Sequence, residues 1–407
     1  MKKMCSILIA LAMVLIIPAG AFADSNYSAK YYNYPSIEDM AYDDFEIGKS
    51  NGDNLDAIIV VNSNSLDSDG LSASSLVSVT NGQICAISNN DSGAKLSEMA
   101  KYSGSGDIYF IGGPQVIPES FKNKFKAQGY NCITLAGKNR IETSYKVANE
   151  VRKIKGNIKE IAITSAYKGV PDSVSIAYTA FVREMPVILT NGKSIPFSTN
   201  GVKTYAIGGN AVISNSLVNK TGAIRLGGKN RYETNKKIIE YFKHNKYKYT
   251  LCYGDSSGVN MKIASLCGCL NYGYPVILVS DNCNKDILSG ATIVEFMTVN
   301  KSVPDRLKVA CFNARYGPKV TAAADLLYKA SGLNRDKYAF GYVADRNCNA
   351  GKRPNYEMYA SKYYIFKLIS FKDGTSNFDI LIDKNTNVIY EWGPKDTKPI
   401  ISTTQLR

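Results

Sequence analysis

Short segments that are apolar at every position alternate along this chain with longer stretches in which apolar residues recur at helical spacing. The clearest apolar segment, Ala57–Val61, ends in a stretch rich in Asn, Ser and Asp. Continuous apolarity over roughly four to eight residues is typical of a strand covered on both faces of a parallel sheet. Further segments that are mostly apolar cover residues 83–87, 108–111, 158–164, 186–190, 205–207, 249–253, 275–279 and 293–299. Strands that alternate with helices predict an α/β fold built on parallel sheets.

A phrase of seven residues occurs twice with six positions identical, first as Gly137–Thr143 and again as Gly228–Thr234. Each copy follows a short apolar segment and precedes a helix-like run. A glycine pair also repeats, at Gly112-Gly113 and Gly208-Gly209, each time directly after a predicted strand. The arginines of the two phrases are 91 residues apart, which predicts a repeated structural unit of roughly 90 residues.

A third unit follows in which the pattern is weaker. No glycine pair follows its last predicted strand, Ile293–Val299. Asn313–Gly317 keeps the arginine of the phrase, as Arg315, and lacks its Glu and Thr. We therefore predict three related units, the third degenerate, with a helix over residues 36–47 closing the ring. The predicted boundaries are 24–155, 156–246 and 247–331.

From about Gly332 the pattern changes to β-rich runs separated by turn residues. Runs at 363–369, 378–382 and 388–392 are joined through Asp373-Gly374 and through an Asn-rich turn at 384–387, which are good hairpin signals. A helix over 319–331 leads into them. The sequence thus predicts a small α+β module over residues 332–407.

The first residues predict export. A basic start, a short apolar core over Ile7–Ile17 and an Ala-x-Ala end indicate a secretory signal peptide over residues 1–23, cleaved before Asp24. The net charge is +14, and loss of Lys2 and Lys3 leaves +12. Such a surplus favours an anionic partner. For an exported protein we expect an acidic wall polymer as this partner, with no nucleic acid and no membrane after cleavage.

The sequence lacks the residue patterns that several common kinds of catalysis require. His244 is the single histidine and lies in a Lys-rich run, so we expect a solvated surface residue rather than part of a triad or zinc site. No carboxylate pair stands in a glycosidase motif. Neither the dinucleotide fingerprint nor a phosphate loop occurs. We predict no enzyme and no cofactor. Most of the nine cysteines are expected to be reduced and buried.

The arginines of the phrase leave two readings open. Arg140 and Glu142 stand two apart and cannot face each other on a helix. The arginines could therefore hold neighbouring units together through Arg–carboxylate forks. Alternatively, Arg140, Arg231 and Arg315 could face an anionic ligand at helix N-termini, where free N–H groups add to the attraction.

Behind a signal peptide, the tripled pattern of strand, Gly-Gly and Gly-Lys-Asn-Arg-x-Glu-Thr resembles the type 2 cell-wall-binding repeat family. These modules hold surface-layer and related proteins on certain Gram-positive cells. The resemblance covers roughly residues 50–331. It implies three Rossmann-like (toast-rack) units around a pseudo-threefold axis and non-covalent attachment to an anionic secondary wall polymer, with surface-layer proteins as a further candidate partner.

The resemblance also implies contact residues, since in that family the Pro-Val-Ile-Leu strand end is linked to wall binding. Together with the phrases and glycine pairs, the candidate polymer-binding residues are Arg140, Arg231, Arg315, Lys138, Lys229, Gly112, Gly113, Gly208, Gly209, Val187, Ile188, Leu189, Val276, Ile277 and Leu278. Two competent sites are expected rather than three.

The expected function is that of an exported cell-surface protein anchored to the wall by its repeats. The role of the tail is open. Its hairpin over 378–386 resembles small PepSY-type modules of exported proteins, and a capping domain without a ligand is the alternative. The alternative function is a wall-acting hydrolase carried by the same repeats.

Overall fold

The apolar segments form strands that lie in three separate four-stranded sheets. The structure is a computed structural model, and it describes residues 28–103, 106–255, 258–300, 303–343, 356–376, 379–392 and 400–401. The predicted signal peptide, 1–23, lies outside the described residues. Among the described helices, none has the length and apolarity needed to cross a bilayer.

The described part of the chain begins with strand β1 (Ser28–Tyr34) and helix α1 (Ile37–Asn51), which precede the first unit. The elements of unit 1 are β2 (Ala57–Asn62), α2 (Leu71–Val79), β3 (Gly82–Ile87), α3 (Ala94–Tyr102), β4 (Asp107–Ile111), α4 (Glu119–Lys126), β5 (Asn131–Leu135) and α5 (Arg140–Lys155). A short 3₁₀ turn (Ser63–Ser65) and a π-helical turn (Leu66–Gly70) lead into α2.

Units 2 and 3 repeat the order of the first three strands, while some helices are shortened or missing and unit 3 has no fourth strand of its own. The elements of unit 2 are β6 (Glu160–Ser165), α6 (Val170–Val174), α7 (Ala177–Val182), β7 (Val187–Thr190), β8 (Lys203–Ile207), α8 (Asn215–Thr221), β9 (Ile224–Leu226) and α9 (Arg231–Tyr241). Those of unit 3 are β10 (Lys248–Tyr253), α10 (Gly258–Cys267), β11 (Val276–Val279), a 3₁₀ turn (Asp286–Leu288), β12 (Ile293–Val299), α11 (Asp305–Ala314) and α12 (Pro318–Ser331).

All three sheets have parallel strands in the same spatial order. The orders are β3-β2-β4-β5 in unit 1, β7-β6-β8-β9 in unit 2 and β11-β10-β12-β1 in unit 3. The central strands are apolar on both faces because helices cover both sides of each sheet. The prediction of an α/β fold with parallel sheets is confirmed.

The fourth strand of unit 3 comes from the opposite end of the chain. β1 pairs with β12 in parallel register, from Ser28 opposite Ile293 to Tyr34 opposite Val299. This differs from the prediction, which assigned residues 24–55 to the first unit. The physical reason is that helix α11 follows β12 directly, so unit 3 has no fourth strand of its own and its sheet edge is open to β1.

Each helix that follows a fourth strand packs on the edge strand of the next sheet: α5 on β7, α9 on β11 and α1 on β3. Buried polar groups tie these contacts. The Leu189 N–H donates to Ser144 Oγ at 3.0 Å, and the Leu278 N–H donates to Asn235 Oδ1 at 3.1 Å. Because α1 covers the sheet of unit 1, the contacts between units close into a cycle.

Asp44 of α1 links unit 3 to unit 1 and so supports the contact that closes this cycle. Its carboxylate accepts from Gln83 Nε2 of β3 at 3.0 Å and from the backbone N–H groups of Asn271 and Tyr272 at 3.0 and 3.2 Å. Burial raises the pKa of Asp44 to about 6, while its hydrogen bonds act in the opposite direction. A polar residue that looks like part of an exposed helical face is therefore an internal link between units 1 and 3.

The C-terminal module is a mostly antiparallel sheet that packs on unit 3. Its elements are β13 (Tyr338–Tyr342), α13 (Tyr356–Lys362), β14 (Tyr363–Ser370), β15 (Gly374–Thr375), β16 (Asp379–Asp383), β17 (Ile389–Trp392) and β18 (Ile400–Ile401). The order is β13-β14-β16-β17-β18, with β15 beside β14. The predicted helix 319–331 is confirmed as α12, and the predicted meander as β14, β16 and β17. The sequence missed β13, which Asn313 of α11 holds through hydrogen bonds to Phe340 O and from the Tyr342 N–H.

Seven cysteines lie among the described residues, and all are free thiols. Five of them are buried, and burial raises the pKa of both Cys85 and Cys269 to about 12. For these residues the prediction of reduced, mostly buried cysteines is confirmed.

His244 does not lie in solvent as predicted. Its Nε2 lies 2.7 Å from Thr179 Oγ1, and its ring meets that of Tyr178 edge to face at 5.2 Å. Burial lowers the pKa of His244 to about 4, and the charge of Arg183 lowers it further. The Lys-rich run around His244 obscured this, because composition does not tell which side chain turns inward.

We expect His244 to make the protein lose stability as the pH falls from 7 to 5. The unfolded chain takes up a proton near pH 6.5 and the folded chain only near pH 4, so the contribution is complete above pH 6.5 and disappears between these values. We expect the free energy of unfolding, measured in urea at pH 7 and at pH 5, to fall between these values by on the order of 1 kcal/mol more in the parent protein than in His244→Gln. An equal pH dependence in the two proteins would contradict this.

We expect Tyr31→Ala to test the role of β1. The Tyr31 ring is buried in the core of unit 3, its hydroxyl accepts from the Val303 N–H at 3.0 Å, and Lys308 Nζ lies 3.7 Å from the ring centroid. Loss of a buried aromatic side chain costs about 3 to 5 kcal/mol of unfolding free energy, measurable by urea denaturation. The exposed Tyr247→Ala is the matched control and should change it by less than about 0.5 kcal/mol. Equal effects would mean that β1 adds little to the fold.

Candidate functional site

The repeated phrase is a helix cap. In the first copy, Asn139 precedes α5 with extended backbone, and its Oδ1 accepts from the N–H groups of Ile141 and Glu142 at 3.0 and 3.1 Å. Glu142 Oε2 accepts from the Lys138 N–H at 2.9 Å, and Thr143 Oγ1 accepts from the Gly137 N–H at 3.1 Å. Asn, Glu and Thr are thus each required by a backbone donor.

The second copy, at the start of α9, repeats the same bonds. Asn230 caps the Tyr232 and Glu233 N–H groups, while Glu233 and Thr234 accept from the Lys229 and Gly228 N–H groups, all at 2.9 to 3.0 Å. The glycines are needed because a Cβ at Gly137 or Gly228 would lie 2.2 or 2.3 Å from the Cβ of the following Glu. These N–H groups are paired inside the protein and are not free to bind an anion.

The arginines of the phrases reach the neighbouring unit. Arg140 Nη1 donates to Ala166 O, just after β6, at 3.2 Å. Arg231 Nη1 donates to Gly254 O and Asp255 O, just after β10, at 3.1 and 3.0 Å. Both arginines therefore link units, as one reading expected, but through main-chain carbonyls rather than carboxylate forks.

A carboxylate lies behind each arginine. Asp69 is 5% exposed, and burial raises its pKa to about 6, while a hydrogen bond from Ser65 and the charge of Arg140 act to lower it. In unit 2, burial raises the pKa of Asp172, and Thr234 and Arg231 oppose the shift. The sequence offered one signal for this pair: each Asp stands seven residues after the last residue of the first strand of its unit.

The glycine pairs leave room for these carboxylates. Gly112 and Gly208 have φ of 120° and 105°, a region that disfavours side chains. A Cβ at Gly112 would lie 3.3 Å from Asp69 Oδ2, and a Cβ at Gly208 would lie 3.4 Å from Asp172 Oδ2. The first glycine of each pair is therefore explained by the buried Asp and by the turn, without any ligand.

Unit 3 lacks all three parts of this arrangement: the carboxylate, the first glycine and the arginine. Asn260 stands where Asp69 and Asp172 stand, and Asn300, with φ 45°, takes the place of the first glycine. The corresponding helix cap is Ser36 at the start of α1, which accepts from the Asp39 N–H at 3.0 Å and is followed by Ile37 rather than Arg. An amide replaces the carboxylate where no arginine is available to balance its charge.

Arg315 is not the third copy of the phrase arginine, contrary to the sequence-based prediction. It is 2% exposed at the junction of α11 and α12, with its guanidinium carbon 4.6 Å from the Phe312 ring centroid. Its Nη1 donates to Thr292 O at 3.4 Å. A polymer on the surface cannot reach it.

The six strand residues of the Pro-Val-Ile-Leu segments are core residues. Their side chains are buried on β7 and β11; they are Val187, Ile188, Leu189, Val276, Ile277 and Leu278. A bound polymer could not touch them in this structure. Their effect on a surface site would act through the loops that follow, such as Asn191–Ser194, where Asn191 Oδ1 accepts from the Lys193 and Ser194 N–H groups.

The accessible part of the candidate site is cationic. Lys138, Arg140 and Lys229 are exposed, Arg231 is partly exposed, and Gly113 and Gly209 are partly accessible beside them. Arg140 lies 6.0 Å from the ring centroid of Tyr167, a side chain that is 60% exposed. The sequence did not single out Tyr167, which only the packing of unit 1 on unit 2 brings to Arg140. Among the described residues, no group of three or more His, Cys, Asp or Glu could hold a metal ion.

Comparison with known proteins agrees with this architecture. Residues 134–218 match the family model described as cell wall binding domain 2 (CWB2), a span that starts at the end of β5 and includes the first phrase and most of unit 2. The class is that of cell-wall-associated proteins with parallel α/β units.

Related proteins extend the comparison. The chain is 26% identical over 180 residues to the N-acetylmuramoyl-L-alanine amidase LytC of Bacillus subtilis (strain 168), covering 42% of this chain and 35% of the amidase. It superposes on Cwp8 from Clostridium difficile with a TM-score of 0.58 at 20% identity (66% of this chain, 49% of that one). It superposes on Cwp6 from the same organism with a TM-score of 0.60 at 20% identity, covering 72% of this chain and 48% of Cwp6. This chain thus spans a third to a half of each relative. Over residues 134–218 it matches the family of type 2 cell-wall-binding repeats.

We expect Asn139→Ala to lower the free energy of unfolding by about 1 kcal/mol, because it leaves two helix donors without their acceptor. Asn230→Ala should cost the same, and the double variant should cost the sum, since the caps lie in different units. Thermal or urea unfolding measures this. Asn139→Asp is the control and should stay within about 0.5 kcal/mol of the parent, because a carboxylate caps as well. A full loss in Asn139→Asp would contradict the capping role.

Proposed function

We propose that this protein is held on the cell wall by binding an anionic secondary wall polymer through its repeated units. The observation that carries the proposal is the pair of exposed cations, Lys138 and Arg140, beside exposed Tyr167 at the junction of two units. A second junction presents Lys229 and Arg231. The net charge of +14 over the whole chain favours the same partner.

The proposed contact surface is narrower than the set of candidates from sequence. It consists of Lys138, Arg140, Lys229 and Arg231, with Gly113 and Gly209 giving the polymer close access to the backbone. We place the buried strand residues and Arg315 outside it. Unit 3 has neither arginine nor carboxylate at the corresponding place, which supports two binding junctions rather than three.

The family and its fold support the wider arrangement. We propose that the three units form toast-rack subdomains around a pseudo-threefold axis, since their helix-to-sheet contacts close in a cycle. Export by the signal peptide and a place among surface-layer proteins belong to the same proposal. The boundaries 156–246 and 247–331 remain those predicted, with residues 28–34 added to the third unit.

A wall-acting hydrolase is the second candidate, and the similarity to the LytC amidase favours it. The amidase match covers 35% of that protein, and the single histidine here packs on Thr179 with its pKa lowered to about 4. We propose a non-catalytic binding role for the described part of the chain, with the module after Gly332 as a cap or an adaptor of its own.

The first test is co-sedimentation with purified cell walls, before and after acid removal of their secondary polymer. We expect binding to intact walls only, and weaker binding as salt rises, because exposed charges are screened beyond about 8 Å at physiological ionic strength. Equal binding to stripped walls would contradict the polymer proposal. Release of soluble wall fragments over time would favour the hydrolase.

Charge reversal locates the surface. Lys138→Glu with Lys229→Glu should weaken wall binding by about tenfold or more, since four units of charge change at the two junctions. Neither lysine side chain has an ion pair among the described residues, so the fold should persist. Lys319→Glu with Lys372→Glu, both exposed, gives the same change in net charge elsewhere and should stay within about twofold. Equal weakening by both pairs would mean that only total charge matters.

A further inference from the structure

A cavity lies between α5 of unit 1 and the sheet of unit 2, at the amino ends of the strands of that sheet. Its volume is about 610 Å³, within the range of about 300 to 1,000 Å³ typical of small-molecule sites. α5 forms one wall through Tyr145, Ala148 and Arg152, and the loop before β8 forms the other through Phe197 and Asn200. The α5 residues that line the cavity come five to twelve residues after Arg140, which is about 8 to 18 Å along a helix. Arg140 itself does not line the cavity.

An aromatic corner forms the floor of this cavity. The rings of Tyr145 and Phe197 meet edge to face, with centroids 5.5 Å apart and an interplanar angle of 90°. Phe197 is 40% exposed, although a large apolar side chain gains free energy when it is covered. Such a corner offers a flat apolar face to a partner that carries C–H groups on one side.

Polar groups with unused hydrogen-bonding capacity surround the aromatic corner. The guanidinium of Arg152 and the side-chain amides of Asn149, Asn157 and Asn200 line the cavity, and none has a hydrogen bond or ion pair with another described residue. An amide offers both donors and an acceptor, and a guanidinium offers five donors in a plane. This set matches neighbouring hydroxyl groups on a ring.

A basic cleft continues from the cavity. A second depression of about 490 Å³ shares Ile158 with it and is lined by Lys155, Lys159, Arg183 and Lys203 together with Glu160 and Glu184. Lys155 pairs with Glu184, and Arg183 and Lys203 pair with Glu160, so four cations against two carboxylates leave this cleft a net positive charge. An extended ligand that occupies the aromatic cavity could place an acidic group over the cleft.

We propose that unit 2 binds a short segment of an anionic glycan here, with pyranose rings in the Tyr145–Phe197 cavity and an acidic substituent over the basic cleft. Aromatic rings take the apolar face of a sugar, and the amides and Arg152 take its hydroxyl groups. The proposal does not depend on the polymer contacts at Lys138 and Lys229. It adds recognition of sugar shape to binding by charge.

The small side chain of Ala148 keeps the cavity open. Counted from the helix cap, its counterpart in α9, the helix of unit 2 that packs on unit 3, is Ile239, which is buried and packs with Leu288 and Ala291. The counterparts of Tyr145 and Asn149 are Lys236 and Glu240, which form an ion pair with each other at 3.7 Å. The same helix position between units 2 and 3 is therefore filled and lacks an aromatic ring.

Titration calorimetry of the exported chain with soluble fragments of a few sugars tests this site. One arm uses fragments released by acid from the secondary wall polymer, and the other uses glycan strands solubilised from peptidoglycan. Phe197→Ala and Ala148→Ile should each weaken binding by about tenfold or more, the first by removing the aromatic face and the second by filling the cavity. Ala148→Ser keeps the cavity open and should stay within about twofold.

The arms and controls separate the outcomes. Binding of either fragment class that depends on Phe197 and Ala148 supports the site and identifies the source of the glycan. Absence of binding in both arms, or equal binding by Phe197→Ala and Ala148→Ile in folded protein, overturns the proposal. The double variant Lys138→Glu with Lys229→Glu should still bind the fragments while its binding to cell walls is weakened. Failure of the charge-based proposal can therefore be distinguished from failure of this one. Circular dichroism establishes that each variant is folded.

Discussion

The parallel pairing of β1 with β12 is the contact on which the rest of the structure depends. It joins positions 265 residues apart, completes the third sheet and places α1 against the first. Such a long-range pairing costs loop-closure entropy, which burial must offset. Without it, β12 would be an exposed edge and the apolar face of α1 would lack its partner.

Buried polar groups make this packing specific. Apolar contact alone would let a helix slide along the edge of a sheet, whereas Ser144, Asn235 and Asp44 each bond to a defined place on the next unit. Asp44 is 4% exposed, and this burial raises the pKa of its carboxyl group to about 6. The same logic holds for Asp69 and Asp172, where arginine, glycine and carboxylate are needed together and are absent together in unit 3.

This division of roles separates scaffold from surface. The helix cap uses the Asn, Glu and Thr of the repeated phrase, and the turn uses the first Gly of each glycine pair. The arginines hold the junction between units. What remains accessible is a modest set of cations with one exposed aromatic ring at the Arg140 junction, and a cavity at the other end of unit 2. Binding by charge tolerates variation in position, so a polymer partner fits such a surface better than a single small molecule.

The sequence alone determined the α/β class, the repeat, the helix that leads into the C-terminal module and its hairpins, because strand burial and turn chemistry are local properties. It also showed the repeated phrase but could not show the role of that phrase, because a helix N-cap and an anion-binding site use the same residue types at the start of a helix. Three-dimensional packing decided that β1 belongs to unit 3, that Arg315, His244 and Val187 are covered, and that Tyr167 meets Arg140. These facts depend on contacts between segments far apart in the chain, which no local pattern of hydrophobic and polar residues encodes.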